Sequence, residues 1–214
     1  MKKKLLIAGA VVLTLASLTV LVIGPWPAYS ARDIAHASFY QRNVEAIHDS
    51  ADRSVLDGSP GPLEAGWAKR PMTPPIGTPL AGYGNRKGEP STGVHDELFV
   101  KALVLSDGRN RAVIVASDML IVPPNLAGMV RERVADRTEI AAGDILFNAS
   151  HTHSGPGGWA PGFAGKQFSG AYDESVLEFL AQRFTEAIVE ADANVTRGAA
   201  FGTGSVEVLS LIHI

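Results

Sequence analysis

Residues Ile145–Gly158 read Ile-Leu-Phe-Asn-Ala-Ser-His-Thr-His-Ser-Gly-Pro-Gly-Gly. From Asp144 to Ala149 the run is apolar and of strand length, and it passes directly into a His-x-His pair and then into glycine and proline. A short apolar run bounded by turn residues is the pattern of a buried strand. In open α/β sheets, ligands gather beyond the carboxyl ends of strands. A strand that empties into His151-Thr152-His153 therefore indicates both a fold class and a place for chemistry. On extended backbone, residues i and i+2 project the same way, which puts the two imidazoles on one side. Two imidazoles at a strand end begin a divalent-metal site, and zinc suits nitrogen ligands. One histidine then binds metal; the other binds it too, or serves as acid, base or oxyanion partner. Ser154, Gly155 and Gly157 offer backbone N–H groups to an anionic oxygen, with little side-chain bulk in the way.

Working outward, Leu98–Leu105 and Arg111–Ser117 are apolar runs joined by Ser-Asp-Gly-Arg-Asn, the spacing and turn chemistry of a hairpin. Leu63–Met72 suits a short strand, and the three prolines in 73–79 exclude regular structure there. Pro123 and Pro124 open a helix to about Arg137. Ser150–Gly170, with six glycines, reads as one long loop. Tyr172–Ala193 is a helix with Val176, Leu177, Leu180, Phe184 and Ile188 on one face, and Gly198–Val208 returns as a strand. Strands alternating with helices predict an α/β domain, a mixed β-sheet flanked by helices. Asp118 follows the apolar run 112–116 at another strand end. It either orients a ligating imidazole or is a turn residue. His95, in Gly-Val-His-Asp, either lines the same cleft or belongs to a surface loop.

The N-terminus has a different texture. Lys2, Lys3 and Lys4 precede an uncharged run of 19 residues, Leu5–Ile23, and then Gly-Pro-Trp-Pro. That is the layout of an export signal, with Ala28 and Ser30 as the small residues of a cleavage site. The run also reaches the length needed to cross a hydrocarbon core of about 30 Å. Cleaved signal and retained membrane anchor both stand open for residues 1–30; either way the body is exported. Residues 31–62 form a linker with a surface helix over Ser38–Leu56, closed by a turn cluster at 57–62. Without residues 1–30, 16 basic residues face 22 acidic ones, a net charge of −6. Such a body lacks the basic footprint of a nucleic-acid binder. The chain has no cysteine, which excludes disulfides, thiolate metal sites and thiol nucleophiles.

Taken together, Ala65–Lys69, Thr73-Pro74-Pro75, Ala81–Gly84, Gly93-Val94-His95, Val113–Asp118 and Ser150–Gly158 resemble the N-terminal part of the catalytic domain of the neutral/alkaline non-lysosomal ceramidase family, over about 63–208. The resemblance implies a zinc amidohydrolase that cleaves the N-acyl amide bond of ceramide or a related lipid-like amide. It implies that His151 is a zinc ligand and that His153 is a second active-site histidine beside the scissile amide. The family's further ligands, a His, a Glu and a Tyr, and its catalytic serine have no counterpart in these residues. The resemblance thus implies an incomplete domain, inactive alone. Residues 209–214 read as translated sequencing-adaptor DNA. The alternative from a different class is a membrane-anchored, non-catalytic binding module of the same fold.

Overall fold

A computed structural model describes residues 2–23, 34–53, 62–200, 202 and 204. Two units divide within the 57–62 turn cluster, Met1–Gly58 and Ser59–Ile214. In the first, α1 spans Lys2–Ile23 and α2 spans Ser38–Arg53. Most of the described side chains of both helices are exposed, Leu6 and Ile47 among them. Among the described residues, no helix is long and apolar enough to cross a membrane. The expected cleavage residues Ala28 and Ser30, and the tail 209–214, lie outside the described residues.

The second unit is built on a mixed sheet. Its strands are β1 (Glu64–Pro71), β2 (Phe99–Ser106), β3 (Arg111–Ser117), β4 (Ile145–Ala149) and β5 (Thr196–Arg197), in the order β4-β3-β2-β1-β5. β2 and β3 form the expected antiparallel hairpin, with Ser106 opposite Arg111. Its turn forms because the Asp107 carboxylate accepts from the Arg109 and Asn110 amides at 2.9 and 2.7 Å, while Gly108 takes a φ of 85°. β3 and β4 are parallel, joined through α3 (Pro124–Ala135). α5 (Glu174–Ala193) starts at Asp173, whose side chain accepts from the Ser175 amide, an N-cap.

Strand alternation places Ala68, Val100, Ala102, Val104, Val113 and Val115 on one buried face. Leu126, Val130 and Val134 of α3 and Leu177, Leu180, Phe184 and Ile188 of α5 complete that core. Gly66 admits close approach of α5: a Cβ there would overlap the Ala191 carbonyl oxygen. The opposite sheet face carries exposed Trp67, Ile114 and Leu146.

Two expectations need correction. The Ser150–Gly170 segment is not wholly loop, because α4 occupies Gly162–Ser169. Its glycines masked it in the sequence; Gly165 is buried against the Ala160 carbonyl, a packing role that composition does not reveal. The final strand pairs earlier than expected, at Thr196–Arg197 against Ala65 and Glu64. Most of the expected 198–208 strand lies outside the described residues.

Candidate active site

Ser117 of β3 sits opposite Ala149 of β4, and both strands end there. Asp118 and Leu120 therefore leave the sheet beside His151, at the carboxyl ends of parallel strands, where α/β sheets hold ligands. The chain does not continue extended. His151 takes a left-handed conformation at φ 58°, so extended-strand alternation is not what unites the histidines. The turn does it instead: the His151 and His153 ring centroids are 5.2 Å apart, with planes at 73°.

His151 Nδ1 lies 2.9 Å from the Leu120 carbonyl oxygen. A carbonyl only accepts, so Nδ1 carries the hydrogen, and in the neutral ring Nε2 then keeps its lone pair. A metal-binding histidine is commonly held in this way. Asp118, expected either to orient an imidazole or to serve as a turn residue, accepts from the Phe99 amide at 2.9 Å through one carboxylate oxygen. The group that meets His151 Nδ1 is the backbone carbonyl two residues later.

His153 is enclosed by a segment whose functional part the sequence reading did not single out. The Tyr83 ring centroid is 4.4 Å from that of His153. Gly82, at φ 86°, has no room for a Cβ, which would overlap His153 Nδ1. Arg86 Nη2 donates to the carbonyls of Ala81 at 2.5 Å and His153 at 2.6 Å. His153 Nδ1 and Arg86 Nε are buried without a hydrogen-bond partner. Tyr83, Lys87 and His151 are the only non-glycine residues at positive φ among those described, and all three border this cluster. The available signal was the string Gly82-Tyr83-Gly84, which contributed to the resemblance but implied no chemistry.

The expected oxyanion loop is largely committed to folding. The Gly157 amide donates to the Pro79 carbonyl at 2.6 Å and the Ser154 amide to Thr152 Oγ1 at 3.2 Å. Both amides are therefore already paired in this arrangement. Gly155 is buried, and its carbonyl accepts from the Ala81 amide at 3.1 Å. Thr152, Ser154 and Gly155 instead line a groove of about 450 Å³ with Leu80, Val94 and His95. His95 thus shares a groove with the loop, but its side chain is 96% exposed and pairs with Asp96 at 2.7 Å. Among the described residues, no group of three His, Cys, Asp or Glu side chains could hold a metal ion.

Both the sequence and the fold of the second unit have counterparts among known proteins. Residues 64–210, more than half of the chain, match the family model described as neutral/alkaline non-lysosomal ceramidase, N-terminal. The chain belongs to that family. Its fold is similar to the crystal structure of neutral ceramidase from Pseudomonas aeruginosa, with a TM-score of 0.58 and 23% identity, over 65% of this chain and 23% of that one. A structure titled as ceramidase complexed with C2 matches with a TM-score of 0.57 and 23% identity, over 64% of this chain and 22% of that one. The chain spans less than a quarter of the length of these solved relatives.

Proposed function

We propose that this chain is the N-terminal part of a zinc-dependent amidohydrolase that cleaves the N-acyl bond of ceramide or a related lipid-like amide. The observation that carries the reading is the tethered His151 imidazole, its Nε2 left open, beside His153 in a member of the ceramidase family. The donor chemistry fits zinc, since a neutral imidazole fixed through Nδ1 is a standard ligand. Zinc, when bound, supplies Lewis-acid polarisation of the acyl carbonyl. His151 would hold the metal through Nε2. His153 serves the reacting amide as acid, base or electrostatic partner. The groove beside Thr152 and Ser154, with Leu80 and Val94 in its wall, suits an apolar chain of the substrate. A zinc site needs at least three protein ligands, so residues outside those described complete the set. On this reading the 214-residue chain alone binds zinc weakly and does not turn over ceramide. Export also belongs to the proposal; the Lys2–Lys4 cluster and the uncharged run after it support it.

The test is calorimetric titration of zinc into the chain and into His151→Ala. Weak binding that disappears with His151 is the expected result. Equal zinc binding by His151→Ala would overturn the ligand assignment, and rapid ceramide hydrolysis by the 214-residue chain would overturn its incompleteness.

A further inference from the structure

We infer that Arg86 is a positioning residue for His153, acting through the 81–87 turn; its catalytic meaning rests on the amidohydrolase reading above. Three observations converge. First, the turn is tied to the histidine loop at both ends: the Ala81 amide donates to the Gly155 carbonyl at 3.1 Å, and Arg86 Nη2 donates to the His153 carbonyl at 2.6 Å. Second, the same Nη2 donates back to the Ala81 carbonyl at 2.5 Å. One guanidinium nitrogen therefore links the start of the turn to the backbone of His153. Third, the turn closes in a strained form. The Arg86 amide donates to the Tyr83 carbonyl at 2.8 Å, and Tyr83 and Lys87 take φ of 50° and 53°. Non-glycine residues persist in that region only where surrounding structure enforces it, and they cluster at functional sites.

The consequence falls on the imidazole. With its backbone held by Arg86, the His153 ring meets Tyr83 and is packed against the bare Cα of Gly82. In that orientation its ring centroid is 5.2 Å from that of His151. Arginine suits the task because its planar fork presents several donors in fixed directions, and it remains charged at any working pH. Lysine has the charge without the fork.

The experiment follows the His153 ring by nuclear magnetic resonance in the 214-residue chain, with labelled histidine and the signal assigned through His153→Gln. In the parent chain, the Tyr83 ring should displace the His153 ring-proton signals upfield, and Tyr83→Leu should abolish that displacement. Arg86→Met should abolish it likewise while His36 and His48 signals stay in place. Arg86→Lys should restore part of it. An unchanged His153 signal in folded Arg86→Met overturns the proposal, as does a parent chain with no Tyr83-dependent displacement. If Arg86→Met fails to fold, the Arg86→Lys spectrum decides: a reduced displacement supports the proposal, and a full one overturns it. The readout requires neither metal nor turnover. Its failure leaves the zinc reading intact, and failure of the zinc titration leaves Arg86 holding His153.

Discussion

The Leu120 carbonyl oxygen and His151 Nδ1 are 2.9 Å apart, although 31 positions separate them in sequence. The contact exists because β3 and β4 are parallel and end together. It fixes the tautomer of a histidine whose neighbour, His153, is fixed by entirely different means. The two should separate in function. In a family member that turns over, altering the residue equivalent to His153 should cost about 10²–10⁴-fold in rate with metal content retained, whereas altering that equivalent to His151 should remove the metal. Metal analysis alongside turnover checks this; loss of zinc from both variants would contradict it.

Gly82→Ala should be disproportionately damaging for one methyl group. The position has φ 86° and faces His153 Nδ1. An alanine at positive φ costs upward of about 1 kcal/mol, and here the ring must also move. Urea denaturation should show the loss, and the His153 signal should shift with it.

Phe184 and Leu180 are fully buried on α5 against the sheet. Phe184→Ala should destabilise the second unit by about 3–5 kcal/mol and Leu180→Ala by about 2–5 kcal/mol. Chemical denaturation measures both. Losses under about 1 kcal/mol would mean that α5 does not pack as described.

Glu178 and Arg133 join α5 to α3 at 2.6 Å. The hydrogen bond from Arg133 holds the Glu178 carboxyl below its ordinary pKa. A lowered folded value means that the contribution is complete above the unfolded value, about pH 4.3, and is lost as pH falls through the folded value. With Glu178 54% exposed, Glu178→Gln should cost less than about 1 kcal/mol at neutral pH. The gap to the parent chain should close below about pH 4. Melting curves across that range provide the check; a gap that widens on acidification would be inconsistent with the pair.

A reporter fused after Ala200 should be active outside the cytoplasm if residues 1–30 direct export. The mass of the exported product then distinguishes a cleaved signal from a retained segment. Activity confined to the cytoplasm would refute export.

The hairpin, the β4 strand and the long α5 were all legible in the sequence, because each rests on local pattern: Asp107-Gly108 at a turn, apolar runs of strand length, and Val176, Leu180, Phe184 and Ile188 at helical spacing. The nearness of His151 and His153 was legible too, though for a different reason from the one that operates. Spacing cannot announce that His151 is left-handed, since that conformation is enforced by the surrounding packing. The roles of Leu120, Tyr83 and Arg86 were not legible. Leu120 acts through a carbonyl that every residue possesses. Arg86 reaches His153 across 67 positions, and Tyr83 meets it only once the turn closes. The pairing of the loop amides was not legible for a related reason: glycine leaves an amide accessible, but tertiary pairing decides whether the amide is already occupied, as Pro79 occupies that of Gly157.

Left-handed Tyr83, Lys87 and His151 also bear on how this protein would respond to engineering. Each such residue carries an energetic penalty on the order of 1–3 kcal/mol, and glycine relieves it. Tyr83→Gly and Lys87→Gly are therefore substitutions that a search for heat resistance would favour. Tyr83→Gly would also strip the aromatic ring from His153. Heat tolerance and site geometry are thus opposed at Tyr83, and a library ranked by melting temperature alone would drift toward robust proteins with a loosened histidine.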